Sequence, residues 1–236
     1  MNYIFKRVLF IFFVISCINV NAQLPTLQSS GWDRIMMVTD MNGRPFRPDY
    51  ANIAGHPFLL KEFKWGNIEF LNGKKLENVL LRIDLVSNLI NIRAYNNEEI
   101  NIESKIVKSF TFLDSSGGKT IPYVFKTHLP KAFGHNENEF YQLLVDGKLS
   151  LYKSSIKRID TRKDDISGEI TREFVIYVDY YILKNNEFIR LKKDKNFIMD
   201  VLSDKSIQMK DIFNNYKTAI RNETDIINIF NIYNQL

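Results

Sequence analysis

The chain has 236 residues, of which 45% are hydrophobic and 25% charged, a balance that excludes a disordered chain and supplies enough apolar surface for a sizeable core. Its 18 Phe and 11 Tyr favour sheet, where aromatic side chains pack well on a pleated surface. The formal charge is +5, and Lys6 and Arg7 lie in a segment expected to be removed, so the remaining +3 does not point to nucleic acid or another polyanionic partner.

Lys6-Arg7 forms a short positive region and VLFIFFVISCINV an apolar one. Val20-Asn21-Ala22 then matches the small-residue cleavage pattern, which predicts a signal peptide over residues 1–22 and a mature chain beginning at Gln23. The apolar run is too short to cross a bilayer comfortably, and no other stretch approaches its length. The expected location is therefore the periplasm, the outer membrane's vicinity or the medium. Val14-Ile15-Ser16-Cys17 resembles a bacterial lipobox and supplies an alternative, a lipid anchor at Cys17. With cleavage after Ala22 no cysteine remains, which leaves no disulfide, thiol nucleophile or thiolate metal site. Residues 23–236 read as one β-rich domain, large enough not to need a covalent staple.

After the signal, residues 23–34 read as a polar, extended lead-in. Residues 35–39 form a short apolar strand that ends at the turn sequence Asp40-Met41-Asn42-Gly43. Residues 44–58 hold three prolines and no sustained period, which predicts a long ordered loop. It concentrates Arg44, Arg47, Asp49, Tyr50 and His56. Long loops in compact domains often carry function, so these five are the candidate recognition surface. The competing reading is a loop that closes one end of a barrel or sandwich.

The stretch around which the chain is organised is residues 66–113. Val79, Leu81, Ile83 and Leu85 alternate with Leu80, Arg82 and Asp84, the period of a strand with one buried face. Asn72-Gly73 suits a two-residue hairpin turn, and Ser87-Asn88 and Asn96-Asn97 offer further reversals. The pattern breaks at residues 114–118 and resumes over 120–126, where Pro122 marks an edge or a bulge. Residues 140–145 and 148–153 read as a hairpin closed by Asp146-Gly147. The charged stretch 156–172 predicts a solvated excursion, followed by a strand with Phe174, Ile176, Val178, Tyr180 and Ile182 on one face.

From Asp194 the period changes, with a short helix expected over 194–202. Met209, Ile212, Phe213 and Tyr216 are spaced i, i+3, i+4, i+7, as are Ile226, Ile229, Phe230 and Tyr233. Asn222 suits an N-cap, with Glu223 and Asp225 complementing the helix start. The expected fold is thus α+β: a large antiparallel sheet, curved and barrel- or sandwich-like, followed by a C-terminal helical cluster.

The segment FLNGKKLENVLLRIDLVSNLI, the hairpin EFYQLLVDGKLSLYK and the ending with two short helices and IYN resemble a group of exported, functionally uncharacterised bacterial proteins of the Gram-negative envelope. The resemblance spans roughly residues 66–234. It implies an exported β-rich protein with a helical tail and carries over no activity or catalytic residue.

Motifs of known chemistry fail on spacing. Ser116-Gly117-Gly118-Lys119-Thr120 ends like a phosphate-binding loop, but Leu113 stands where a Gly is needed and a strand follows instead of a helix. His128 and His135 with Glu137 or Glu139 match no metal-ligand spacing. Asp40-x-Asn42-Gly43 is too short for a calcium loop. No Ser sits in a nucleophile elbow. No cofactor, metal or catalytic residue is therefore assigned. Trp32, Trp65, Tyr95, Tyr123, Tyr141, Tyr152 and Tyr181 read first as core or cross-strand partners and second as the lining of a groove. The favoured function is an envelope or secreted protein that binds an unidentified ligand or envelope partner without catalysis. The rivals are a hydrolase of polysaccharide or peptide working through carboxylates, and a structural envelope component.

Overall fold

A computed structural model describes residues 38–236 apart from 42, 43, 45, 95, 96, 116, 132–135, 216–219 and 221. The predicted signal peptide, the alternative anchor Cys17, the lead-in, Trp32, Tyr95, His135 and Tyr216 lie outside the described residues.

The fold is α+β, as the periodicity predicts. Ten strands form one antiparallel sheet: β1 (Lys64–Phe70), β2 (Lys75–Asp84), β3 (Leu89–Arg93), β4 (Glu99–Glu103), β5 (Val107–Asp114), β6 (Ile121–Lys126), β7 (Tyr141–Val145), β8 (Ser150–Lys163), β9 (Ile170–Lys184) and β10 (Glu187–Arg190). Among the described residues three α-helices follow: α1 (Lys195–Val201), α2 (Ser206–Asn215) and α3 (Glu223–Gln235). None of the described helices is long and apolar enough to cross a membrane. The spatial order is β10-β9-β8-β7-β6-β5-β1-β2-β3-β4. The chain thus lays down a four-strand meander, returns to pair β5 with β1, and continues as a second meander.

The register assigns the faces. Ile68 opposes Phe110, Phe110 opposes Phe125, Phe125 opposes Gln142, Gln142 opposes Lys153 and Lys153 opposes Tyr180. Opposed residues point to one side of a sheet, so one face carries Ile68, Phe110, Phe125, Tyr180 and Ile182. Along it lie two separate cores. The first joins Leu81, Ile83, Ile90, Ile102, Phe110, Phe125 and Phe140. The second joins Leu151, Ile182, Met209, Phe213, Ile226 and Phe230 beneath the helices. At the margin of the second core Glu223 accepts from Lys153 and Tyr180, both at 2.7 Å. Burial opposes the charge of Glu223, but those two donors hold its carboxyl below the usual carboxylate range. The opposite face carries a smaller aromatic cluster of Tyr141, Tyr152, Tyr181 and Phe188.

The first core is enclosed by curvature. The Lys157 N–H of β8 donates to the Leu85 C=O just past β2 at 2.9 Å, across four intervening strands. The sheet therefore curls back on itself without closing into a barrel. The second core is enclosed by helices, and Ile226, Ile229, Phe230 and Tyr233 are all at most 1% exposed. The helix stripe read from spacing is the buried stripe.

Two local expectations are corrected. Residues 156–172 are the outer half of a long hairpin, not an excursion: β8 and β9 pair without a break from Ser150–Leu183 to Lys163–Ile170. This arm has little of the alternating apolar signal because much of it lies beyond the core, and cross-strand pairs such as Arg162–Glu173 accompany its pairing. The Asn72-Gly73 reversal is a three-residue loop. Phe70 N–H donates to Lys74 C=O at 2.9 Å, and only Gly73 takes a positive φ, +80°, as in a type I turn with a bulge. Asn222 is the N-cap residue of α3, as expected, with Glu223 and Asp225 in the first turn, though its side chain makes no capping bond. By contrast Asp194 caps α1, accepting from Phe197 N–H at 2.9 Å. Pro122 lies on β6 where only β5 pairs with it, which agrees with an edge position.

Candidate binding cleft

The curl determines where a cleft opens. Beyond β1, the end of β2 is extended by the 44–58 loop, with Leu59 N–H bonded to Ile83 C=O at 2.9 Å and Leu85 N–H to Pro57 C=O at 3.0 Å. On the far side Ala54 bridges β9 at Glu173. The loop is a strap laid across the seam between β2 and the β8–β9 arm. The Lys157 ammonium reinforces it, donating to His56 C=O and Phe58 C=O, both at 2.8 Å. Desolvation pushes the Lys157 amine down, and the paired carbonyls compensate the buried charge.

The five residues of the predicted recognition surface divide between two settings. Tyr50 and His56 turn inward. Tyr50 donates to Asp84 at 2.7 Å, and its ring meets Phe174 edge-on at 5.4 Å. Burial, then the bond to Asp84, pushes the Tyr50 hydroxyl well up, so it remains a donor. Asp84 is 3% exposed, and its other oxygen accepts from Val86 N–H and Ser87 N–H. This buried carboxylate is thus committed to holding the strap and the β2–β3 turn. The His56 ring stacks on Phe58 at 6.3 Å, and its Nδ1 is buried without a hydrogen bond of good geometry. Desolvation, followed by the nearby Lys157 charge, pulls the imidazole below its ordinary range. Arg44, Arg47 and Asp49 are exposed. Arg44 closes a turn with Asp40, its C=O accepting from Asp40 N–H and its N–H donating to the Asp40 carboxylate, each at 2.8 Å, and Asp49 caps Ala51 N–H at 3.0 Å.

Beside the seam lies a cavity of about 300 Å³. Ile83, Leu85, Phe140 and Ile156 supply an apolar wall, and Asn88, Glu139, Lys157 and Arg158 supply the polar groups. Arg158 lies 5.2 Å from the centre of the Tyr177 ring. Asn88 adopts φ +56° and bonds Ser104 Oγ at 2.8 Å and Asn138 C=O at 2.9 Å. It also lines a second cavity, of about 380 Å³, together with Val38, Phe46, Leu89 and Lys105. An apolar wall with a few convergent polar groups is the ordinary form of a small-ligand site. Among the described residues no three His, Cys, Asp or Glu side chains are grouped as metal donors. Glu139 is the one carboxylate in the described lining of the first cavity.

The sequence reading missed this cleft because its walls come from β2, the β6–β7 connection and β8, far apart in the chain. Only the strap that spans the seam carried a linear signal, its prolines. Of the seven aromatics singled out, Tyr141, Tyr152 and Tyr181 are core, Tyr123 stacks on Phe112 at 4.8 Å, and Trp65 is 52% exposed. Comparison with family models, curated proteins and solved structures found no match to this chain.

Proposed function

We propose that this chain is an exported protein that binds a ligand without catalysis, in the cleft at the seam of the curled sheet. The observation that carries the reading is the cleft's lining: an apolar wall of Ile83, Leu85 and Ile156 beside the cationic groups of Lys157 and Arg158. Such a lining suits a small molecule with an apolar body and an anionic or carbonyl head. Hydrolysis of a glycosidic bond ordinarily uses two facing carboxylates, and the described lining offers one. N-acetyl-leucine, which has both features, is the probe. It should raise the melting temperature of the wild type and fail to do so for Ser155→Trp, which fills the cleft. Turnover of a chromogenic glycoside or peptide that is abolished by Glu139→Gln would instead establish the hydrolase. No response to the probe and no turnover would favour the structural envelope role.

Export rests on Lys6-Arg7, the apolar run and Val20-Asn21-Ala22. The intact mass of protein recovered from cells tests it. A start at Gln23 supports the free form and a lipidated Cys17 the anchored form, while retained Met1 overturns both.

A further inference from the structure

The β8–β9 arm has an open edge that the cleft does not use. Phe174 N–H donates outward to Ala54 C=O at 3.2 Å, Ala54 N–H donates to Arg172 C=O at 2.8 Å, and Leu191 N–H donates to Tyr180 C=O at 2.8 Å. In an unbroken antiparallel ladder the direction of the backbone polar groups alternates along the strand. Residues 172, 174, 176, 178 and 180 of β9 therefore all aim theirs away from β8. Ala54 occupies that edge at one end, and at the other β10 covers it as far as Tyr181, opposite Arg190. Between them Ile176 and Val178 each project an N–H and a C=O with no backbone partner among the described residues. The two residues are 49% and 38% exposed, and Tyr177 between them is 41% exposed.

The edge is short and basic. Asp179 is paired with Arg190, and Glu173 with Arg162. Arg172 at one end and Lys192 at the other are exposed, and neither has an ion-pair partner among the described residues. Ala54 and Leu191 stand in the plane of the sheet at the two ends. A second copy's 15-residue β9, carrying the same two obstructions, does not fit between them, whereas a short segment does. We propose that this edge accepts an extended segment of another protein as an added strand, with acidic side chains facing Arg172 and Lys192 and apolar ones against Ile176, Tyr177 and Val178. Backbone bonds supply affinity in such strand addition, and side chains supply selectivity.

The edge lies apart from the cleft, and its test uses a different probe: a blocked heptapeptide with three central valines flanked on each side by two glutamates, with the lysine-flanked counterpart as control. In the free protein the amide hydrogens of Ile176 and Val178 should exchange rapidly, and the acidic peptide should slow them by about tenfold or more. Val178→Pro removes an N–H that β8 does not use. It should weaken the acidic peptide about tenfold, the scale of one hydrogen bond, while Val178→Ala retains binding. Arg172→Glu combined with Lys192→Glu should reverse the preference toward the lysine peptide. Protection of both amides in the free protein, or equal binding by Val178→Pro and wild type, overturns the proposal. Should Val178→Pro fail to fold, exchange in the wild type and the charge reversal decide it.

Discussion

One sheet face is buried in two ways. Over β1–β5 the sheet encloses its apolar residues by curling, and the enclosure ends at a seam held by Lys157, Tyr50 and a proline-containing strap. Over β7–β10 the same face is covered by three helices, whose buried stripe packs directly on Leu151, Tyr180 and Ile182. Side-chain packing over a broad face seals the second half. Curvature cannot seal the first without full closure of the barrel, so a cleft remains where the two ends of the curl approach. The seam is therefore held mainly by polar contacts and the covered half mainly by apolar ones. Perturbations of each should differ in kind as well as in size.

The largest effect should come from removing the cover. Truncation after Asn222 deletes Ile226, Ile229, Phe230 and Tyr233, each contributing roughly 1.5–3 kcal/mol by burial, a sum comparable to the net stability of a typical domain. The product should aggregate or be rapidly proteolysed, since the apolar groups that α3 covers, among them Leu151, Ile182 and Met209, are left facing water. A soluble truncated chain with an unchanged melting transition would show the helices to be an appendage.

Opening the seam should cost less. Lys157→Met removes a charged donor from two strap carbonyls, for a loss of about 2–4 kcal/mol. Amide exchange should accelerate at Leu59 and Leu85 and remain unchanged at Ile226 and Phe230. Uniform acceleration across both halves would mean that the two cores do not respond separately.

Two glycine turns sharpen the contrast further. Gly73 has φ +80° and nothing within 4 Å of an added Cβ, whereas at Gly147, with φ +151°, that Cβ would lie 2.7 Å from the Asn234 side chain. Asn234 reaches from α3 to bond both the N–H and the C=O of Leu149, at 3.0 and 2.9 Å. Gly73→Ala should cost about 1 kcal/mol of backbone strain. Gly147→Ala should cost about 2–3 kcal/mol by adding displacement of that clamp, and Asn234→Ala should narrow the difference. Equal denaturation midpoints for the two alanine variants would show that Asn234 yields freely.

The smallest effect is protonic. His56 titrates lower when folded than when unfolded, so the unfolded chain binds the proton more readily. Its contribution is fully present above the ordinary histidine pKa of about 6.5 and is lost as pH falls through the depressed folded value. Titration of the His56 ring by NMR should show the depression. Lys157→Met should lessen it, because that charge is one of its causes. An ordinary titration in the wild type would contradict the buried setting.

The sequence alone determined the elements whose signal is local. Period-two alternation marked β2, the i, i+3, i+4, i+7 stripe marked α3 down to its four buried residues, and Asp146-Gly147 marked the β7–β8 turn. It did not reveal the outer half of the β8–β9 arm, residues 156–172, because strands that extend beyond the core need no alternation. Nor did it show that Tyr50 and His56 serve the strap while Arg44, Arg47 and Asp49 remain at the surface. Curvature was decided only by tertiary structure. The seam depends on a backbone bond between Leu85 and Lys157, and the cleft on β2 and β8 approaching across four strands. Such contacts join residues about seventy positions apart, and local propensity carries no record of them.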